Sequence, residues 1–345
     1  MLTNILRFEK KMRTVFIIAE VGVNHNANLE IAHQLIDAAV NAGADAIKFQ
    51  AAIPELVATC FAKKAGYQKQ VSVADETQLA MIRKIHFPLD VYHILKASCK
   101  KKDIMFFSTA FDMTSLAFLQ NLDQDLHKVP SGEITNLPYL RAIGRYGRPV
   151  ILSSGMANLG EIEAAIDVLE QAGTSRNQIT VLHCTTEYPA PLGEVNLNAM
   201  QSIARAFGVA VGYSDHTNGI AVPIAAAALG ATVIEKHLTL DRNMEGPDHR
   251  ASLEPDEFTA MVEGIRAIQQ ALGDGIKRPT ASETANLPIV RKSLVASRPI
   301  SIGEKFSEAN IIAKRPGTGI SPMRWDEVIG QRSIRDFAPD ELIEL

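Results

Sequence analysis

The chain has 345 residues, 46% hydrophobic and 21% charged, the composition of an ordinary globular protein rather than a disordered or fibrous one. Lys and Arg total 35 against 39 Asp and Glu, for a formal charge of −4, so the sequence offers no basic surface for nucleic acid and any anionic ligand needs a local site. The three cysteines, Cys60, Cys99 and Cys184, are too few and too scattered for a disulfide framework or zinc knuckle, which makes a reducing cytosol the simplest home.

The N-terminal stretch MLTNILRFEKKMRTV lacks the apolar segment and cleavage site of a secretory signal, and the expectation is a cytoplasmic protein. Short apolar runs then alternate with amphipathic segments. The runs are Val15–Ala19, Ala46–Phe49, Ile104–Phe107, Lys128–Val129, Val150–Leu152, Ile179–Leu182, Val209–Gly212 and Thr232–Ile234. Between them lie helical patterns such as Leu29–Asn41, Met113–Asn121, Leu159–Ala172 and Gly219–Leu229, and Asp256–Leu272 follows the last. The longest apolar run, Ile220–Ile234, contains Pro223 and Gly230 and falls short of the roughly 18 residues of a membrane span, so it reads as a buried helix. Eight strand–helix units predict a (β/α)8 TIM barrel over 1–273, with an open doubly wound sheet as the alternative. Residues 274–288 read as a linker and 289–345 as a small β-rich domain, with strand-like runs at Ser293–Ala296 and Asn310–Ala313. The long connection Ala51–Asp75 is a candidate lid.

In a barrel the C-terminal strand ends face the active site, and here they are polar throughout. Strand one ends in Glu20, followed by Asn24, His25 and Asn26. Strand two ends in Lys48 and Gln50, three in Ser108 and Thr109. Strand four supplies Lys128, Ser131 and Glu133, five Ser153 and Ser154, and six His183, Thr185, Thr186 and Tyr188. Strand seven supplies Ser214, Asp215 and His216, and eight Glu235, Lys236 and His237. Lys48 and Lys128 with the hydroxyls of Thr109, Ser131, Ser153 and Ser214 suit a phosphate and a carboxylate. His216 and His237, on neighbouring strands, can share a divalent cation while leaving positions open for water and substrate. Glu20 and Glu235 are placed to act as a base or to support the ligands. Each has an ordinary structural reading: a strand-end lysine is commonly salt-bridged, and a histidine on an apolar strand is commonly a satisfied core group. His25, His183 and His249 read as structural and Cys184 as packing; Tyr188 and Asp248 read as polyol contacts or loop hydrogen bonds. No Walker loop or GxGxxG is present.

The stretches FIIAEVGVNHNANLEIAHQLIDAAVNAGADAIKFQ (16–50), KVPSGEITNLPYL (128–140), ILSSGM (151–156), LHCTTEYPAPLGEVNLNAM (182–200), VGYSDHTNGIAV (211–222) and EKHLTLDRNMEGPDHRASLEPDEF (235–258) closely resemble the sialic acid synthase family. The tail KSLVASRPISIGEKFSEANIIAKRPGTGISP (292–322) resembles its C-terminal antifreeze-like (SAF) domain. The resemblance implies condensation of phosphoenolpyruvate with the open-chain aldehyde of N-acetylmannosamine and water, giving N-acetylneuraminate and phosphate. It implies a divalent metal, Mn2+ with Mg2+ or Co2+ as alternatives, and a domain-swapped homodimer. It assigns phosphoenolpyruvate contacts to Lys48, Thr109, Lys128, Ser131, Ser153 and Ser214, with Thr186 where some members carry Asn. Metal ligands fall on His216 and His237, sugar contacts on Glu133, Tyr188 and Asp248, an N-acyl contact from the partner's tail on Arg315, and the catalytic carboxylate on Glu20. The SDHT sequence resembles bacterial enzymes that use the free sugar. The alternative within the family is a legionaminic or pseudaminic acid synthase acting on a diacetamido-trideoxy hexose. Outside it stand a Schiff-base aldolase using Lys48, Lys128 or Lys236, and a non-catalytic carbohydrate-binding protein.

Overall fold

The computed structural model describes residues 14–66, 68 and 76–345. The N-terminal stretch before Thr14, and most of the end of the connection to Asp75, lie outside the described residues. Two compact units divide between Gly273 and Asp274.

The first is a barrel. Its strands are β1 (Phe16–Gly22), β2 (Ala46–Ala51), β3 (Met105–Ala110), β4 (His127–Val129), β5 (Val150–Ser153), β6 (Ile179–His183), β7 (Ala210–Asp215) and β8 (Val233–His237). They are hydrogen-bonded in parallel in the order β3-β2-β1-β8-β7-β6-β5-β4. β3 packs beside β4 to complete the ring, and at that seam the Gln124 carboxamide accepts from Ser108 N at 3.1 Å. The expected barrel is therefore present, and the open sheet is not.

The helices that follow the eight strands are α1 (Leu29–Asn41), α2 (Val91–Lys101), α3 (Met113–Asn121), α4 (Leu137–Arg145), α5 (Leu159–Ala172), α6 (Asn198–Phe207), α7 (Ala221–Ala228) and α8 (Pro255–Leu272). Several begin where a side chain satisfies the free N–H groups of the first turn. Asn28 accepts from Glu30 N and Ile31 N, Asp112 from Ser115 N, and Asn158 forms a capping box with Glu161. An additional helix, Gln78–Ile85, and a short one, Pro54–Val57, stand in the connection between β2 and α2.

The strands follow a period of two. Phe16, Ile18, Ala46, Phe107, Leu126, Ile151, Leu182 and Val233 form one buried cluster that fills the barrel's interior. Residues such as Ile17, Ala19, Ile47, Val181 and Ile234 belong instead to the large cluster beneath the helices. At β7 the interior position is Gly212, where a Cβ would meet Val233 O at 2.2 Å and Leu182 Cδ2 at 2.7 Å.

Most strands run one to three residues further toward their C-termini than the apolar runs do. β1, β2, β3, β6, β7 and β8 continue through Glu20, Gln50, Thr109, His183, Ser214 and His237. Polar side chains extend a strand as well as apolar ones when its hydrogen-bonded neighbours continue, and only the composition signal stops early.

The second unit carries β9 (Ser293–Ala296) antiparallel to β10 (Ile311–Lys314), around Leu294, Ala296, Ile300, Phe306, Ile311, Val328, Phe337 and Ile343. Residues 274–288 belong to this unit, and part of them is helical at Ala281–Thr284. Gly317 N donates to Pro288 O at 2.7 Å, and a Cβ on Gly317 would come within 2.6 Å of the Arg291 Cβ. Glycine is thus what lets the KRPG turn lie against 287–291. No helix among the described residues is long and apolar enough to cross a membrane.

Candidate active site

Two residues beyond the last apolar side chain that each of these segments sends into the barrel interior, the inward position becomes polar or carries a thiol. Ile18 is followed by Glu20, Ala46 by Lys48, Phe107 by Thr109, Leu126 by Lys128, Ile151 by Ser153, Leu182 by Cys184 and Val233 by Glu235, with His237 two further on. All of these line one cavity of about 360 Å3 at the C-terminal end of the barrel. Ser131, Thr186, Tyr188, Ser214, His216 and Asp248 line it as well.

A buried charge network forms its floor. Lys48 Nζ lies 2.7 Å from Glu20 Oε2 and 3.7 Å from Glu235 Oε2, and Lys128 Nζ lies 3.5 Å from Glu235 Oε1. Hydroxyls and an amide complete the set. Lys128 Nζ donates to Ser153 Oγ at 2.7 Å, Lys48 Nζ to Thr109 Oγ1 at 3.3 Å, Ser214 Oγ to Glu235 Oε1 at 2.8 Å, and Gln50 Nε2 to Glu20 Oε1 at 2.9 Å.

Burial penalises every charge here, so the neighbours decide which survives. Burial works against the Glu235 carboxylate, yet Lys128 and Lys48 outweigh it and hold its pKa at about 2. Burial also opposes the Lys48 ammonium, but Glu20 and Glu235 raise it above the ordinary lysine value. Lys128 is lowered by burial, with Lys48 adding to the effect. Glu20 is raised by burial and by Glu235, against the pull of Lys48. Asp248 is raised by burial, and further by Glu20, to about 7.

His216 and His237 stand on the same wall, their ring centroids 5.5 Å apart, with Tyr188 4.0 Å from the first ring and 5.7 Å from the second. Thr185 O accepts from His216 Nδ1 at 2.7 Å, which fixes the tautomer and leaves Nε2 as the lone-pair nitrogen. Burial lowers His216 to about 4 and, with the His216 ring beside it, His237 well below the usual value, so both are neutral at pH 7. His237 Nδ1 is buried without a hydrogen-bond partner, 4.0 Å from Asp248 Oδ2. Among the described residues there is no cluster of three or more His, Cys, Asp or Glu with metal-binding geometry.

Gly155 gives this corner its shape. Its N–H donates to Ser131 Oγ at 3.0 Å, and a Cβ there would meet Thr186 Oγ1 at 2.2 Å and Ser131 Oγ at 2.8 Å.

The structure separates residues that the sequence placed together. Asp215 and Lys236, expected at the mouth, point to the outer side of β7 and β8. There Lys236 Nζ meets Asp215 Oδ2 at 2.6 Å and donates to Thr217 O, both side chains being sealed from solvent. Lys236 is thereby removed as a Schiff-base nucleophile. Cys184, the residue after β6, lines the cavity, while His183 hydrogen-bonds Val195 O at 2.8 Å. Glu133 shares a turn with Ser131, but its carboxylate accepts from Asn136 Nδ2 at 2.5 Å and it is not part of the cavity lining. Arg315 belongs to the second unit, where its Nε donates to Val290 O at 3.0 Å. Sequence reasoning did not find Met81, Ile82, Ile85 and His86, which line the cavity from the helix Gln78–Ile85 and the residue after it.

A closed parallel barrel with ionised groups and paired imidazoles at the C-terminal ends of its strands is the arrangement of a TIM-barrel enzyme. The chain belongs to the NeuB family, whose model matches residues 35–277, and residues 291–344 match the SAF domain. It is 53% identical to the N,N'-diacetyllegionaminic acid synthase of Campylobacter jejuni over 96% of this chain and 99% of that one. Identity to the N,N'-diacetyllegionaminic acid synthase of Legionella pneumophila is 41%, over 92% and 90%. The crystal structure of the N-acetylneuraminic acid synthetase of Leptospira borgpetersenii superposes with a TM-score of 0.69 at 35% identity, covering 79% of this chain and 90% of that one. These relatives identify the chain as a C–C bond-forming synthase. They also correct the expected substrate: the relatives matched at 53% and 41% make diacetyllegionaminic acid, whereas the N-acetylneuraminate enzyme stands at 35%.

Proposed function

We propose that this protein condenses phosphoenolpyruvate with a 2,4-diacetamido-2,4,6-trideoxy hexose in its open-chain form, adding water and releasing phosphate to give a diacetyllegionaminic-type acid. The observation that carries this reading is the 53% identity along nearly the whole of both chains to an enzyme of that name. The cavity floor supports the chemistry. Lys48 and Lys128, with Thr109, Ser131, Ser153, Thr186 and Ser214, form an anion cradle at the bottom of the cavity, where the two lysines are buried and charge-assisted hydrogen bonds are strong.

His216 and His237, neutral and with His237 Nδ1 unpartnered, fit a divalent cation held by two imidazoles, with its other positions left to water and substrate. Bound there, Mn2+ or a similar ion supplies Lewis acidity to the aldehyde oxygen. The chain's own groups carry the remaining tasks. The two lysines hold the phosphate and carboxylate while C3 of phosphoenolpyruvate forms the new bond to the aldehyde carbon. Water adds at C2, and phosphate leaves from the tetrahedral carbon that results. Glu20, its carboxyl raised by burial, takes the proton of that water, and Gln50 and Lys48 orient it. Tyr188 and Asp248 contact the sugar, and Glu133 reaches it after a change of partner. Arg315 acts on the N-acyl group from the other chain of a homodimer, and the protein works in the cytoplasm.

The test is stoichiometry. With Mn2+ present, each phosphoenolpyruvate consumed should yield one phosphate and one nine-carbon acid by mass spectrometry, across a panel of acylamino hexoses. Pyruvate trapped on the chain by borohydride, with no phosphate released, would replace this reading with a Schiff-base aldolase.

A further inference from the structure

We propose that His86, together with Met81 and Ile82, forms the subsite for the second acetamido group of the sugar, the one that distinguishes a diacetamido hexose from N-acetylmannosamine. This rests on the substrate class proposed above and names the residues that would enforce it.

An acetamido group offers an N–H donor joined to a methyl-bearing carbonyl, and this wall of the cavity offers the matching pair. Ile82 O can only accept, so His86 Nδ1, 3.1 Å away, must carry the proton of the ring. His86 Nε2 is then a lone-pair acceptor, and it is buried without a hydrogen-bond partner. Burial lowers the pKa of this ring, which keeps the acceptor free at neutral pH. A buried acceptor left unpaired is destabilising unless something fills it. Beside it, Met81 and Ile82 line the same cavity although only 5% and 7% exposed, and Ile85 extends the apolar surface by one helical turn.

The wall is held in place. Thr77 caps the helix through Ala80 N, and Arg83 pairs with Glu55 of the short helix Pro54–Val57 at 2.8 Å. Nothing in the anion cradle uses these residues. A sugar whose aldehyde lies at His216 and His237 carries its second acetamido group two carbons beyond the first, and His86, Met81 and Ile82 line the same cavity as those two imidazoles. An alcohol at that position would meet apolar side chains with its methyl partner missing, and discrimination of about 10- to 100-fold is what a single such contact supplies.

The experiment compares the 2,4-diacetamido-2,4,6-trideoxy hexose with its counterpart carrying hydroxyl at C4, using the Mn2+-loaded full chain. Turnover of the diacetamido sugar by the unmodified protein tests the proposed function; the variants test this inference. His86→Phe keeps the ring and removes the acceptor. It should lose roughly 10- to 100-fold in kcat/KM on the diacetamido sugar, mostly through KM, while the 4-hydroxy sugar and the KM for phosphoenolpyruvate change less than about threefold. His86→Gln, which returns an acceptor oxygen, should recover most of the loss, and Met81→Thr should shift the same ratio in the same direction. Equal losses on both sugars, or none on either, would overturn the subsite.

Discussion

Glu20 and Lys48 face each other across the β1–β2 ladder, and their side chains meet at 2.7 Å inside the barrel, each almost wholly buried. The pair forms at the first inward positions above the apolar plug, where Ile18 and Ala46 end the packed interior. A buried pair of this kind is weak evidence for stability, because desolvation offsets most of the attraction. Its placement at the floor of a cavity, with a second lysine and a second carboxylate in reach, is better explained by a charged ligand.

Glu20→Gln preserves size and can still hydrogen-bond Gln50 and Lys48, but it cannot take a proton from water. The expected result is a fall in kcat of about 100- to 10,000-fold with a KM for phosphoenolpyruvate within a few-fold of the original. Steady-state kinetics at saturating sugar reads both numbers. A kcat within threefold would assign the proton transfer to another group.

Lys128 and Arg315 answer different questions. Lys128→Ala removes a buried cation worth about 1.5–3 kcal/mol to a bound anion and should raise the phosphoenolpyruvate requirement at least tenfold or abolish turnover. Arg315→Ala should weaken sugar binding more than phosphoenolpyruvate binding. If Arg315 acts in trans, heterodimers reassembled from the two impaired parents should exceed both in activity; confirmed heterodimers no better than the parents would place Arg315 over its own barrel or outside the site.

The two imidazoles predict a metal requirement that can be read without turnover. Titration calorimetry should show one Mn2+ bound per chain, lost or weakened at least tenfold in His216→Ala and His237→Ala while the thermal melt remains cooperative. Chelation should silence the unmodified enzyme, with Mn2+ restoring it. Full activity in excess EDTA would remove the metal from the mechanism.

Acid should destabilise the barrel through histidines outside the active site. His127 is 1% exposed; its Nδ1 accepts from Gln124 Nε2 at 3.2 Å and its Nε2–H donates to Gln120 at 3.1 Å. Gln124 cannot turn to accommodate a second ring proton, because its oxygen is held by Ser108 N. Burial, reinforced by Arg148, depresses the folded pKa of His127 to about 4, while the unfolded value is about 6.5. The fold thus favours the neutral ring, and the associated stability is fully present above pH 6.5 and is lost as pH falls toward 4. The shift corresponds to about 3 kcal/mol. Urea unfolding from pH 7 to pH 4 should show this decline, and His127→Gln should flatten its slope by up to one proton. An unchanged slope would mean that the ring charges without cost.

Much of this was legible in the sequence because barrel chemistry repeats at fixed places. Strand order, the positions of α1, α3 and α5, and the polar strand ends all follow from periodicity and capping residues. What composition alone did not resolve is which of two consecutive polar residues faces inward. Glu235 and Lys236 look equivalent until Val233 is seen among the interior residues and Ile234 beneath the helices, after which Lys236 must point outward. The same parity assigns Cys184 rather than His183 to the cavity. The wall formed by Met81 and Ile82 carried no such signal, since an apolar pair on an amphipathic helix reads as core whether it packs against protein or against a ligand. Substrate choice was obscured for a related reason: the groups proposed to hold phosphoenolpyruvate say nothing of the sugar.

The sugar specificity is decided by measuring kcat/KM for 2,4-diacetamido-2,4,6-trideoxy hexose and for N-acetylmannosamine side by side, with saturating phosphoenolpyruvate and Mn2+, following phosphate release and confirming the nine-carbon acid by mass spectrometry. A diacetamido-specific synthase should prefer the diacetamido sugar by at least about tenfold, the scale that one well-matched group supplies. Equal or better use of N-acetylmannosamine would contradict it.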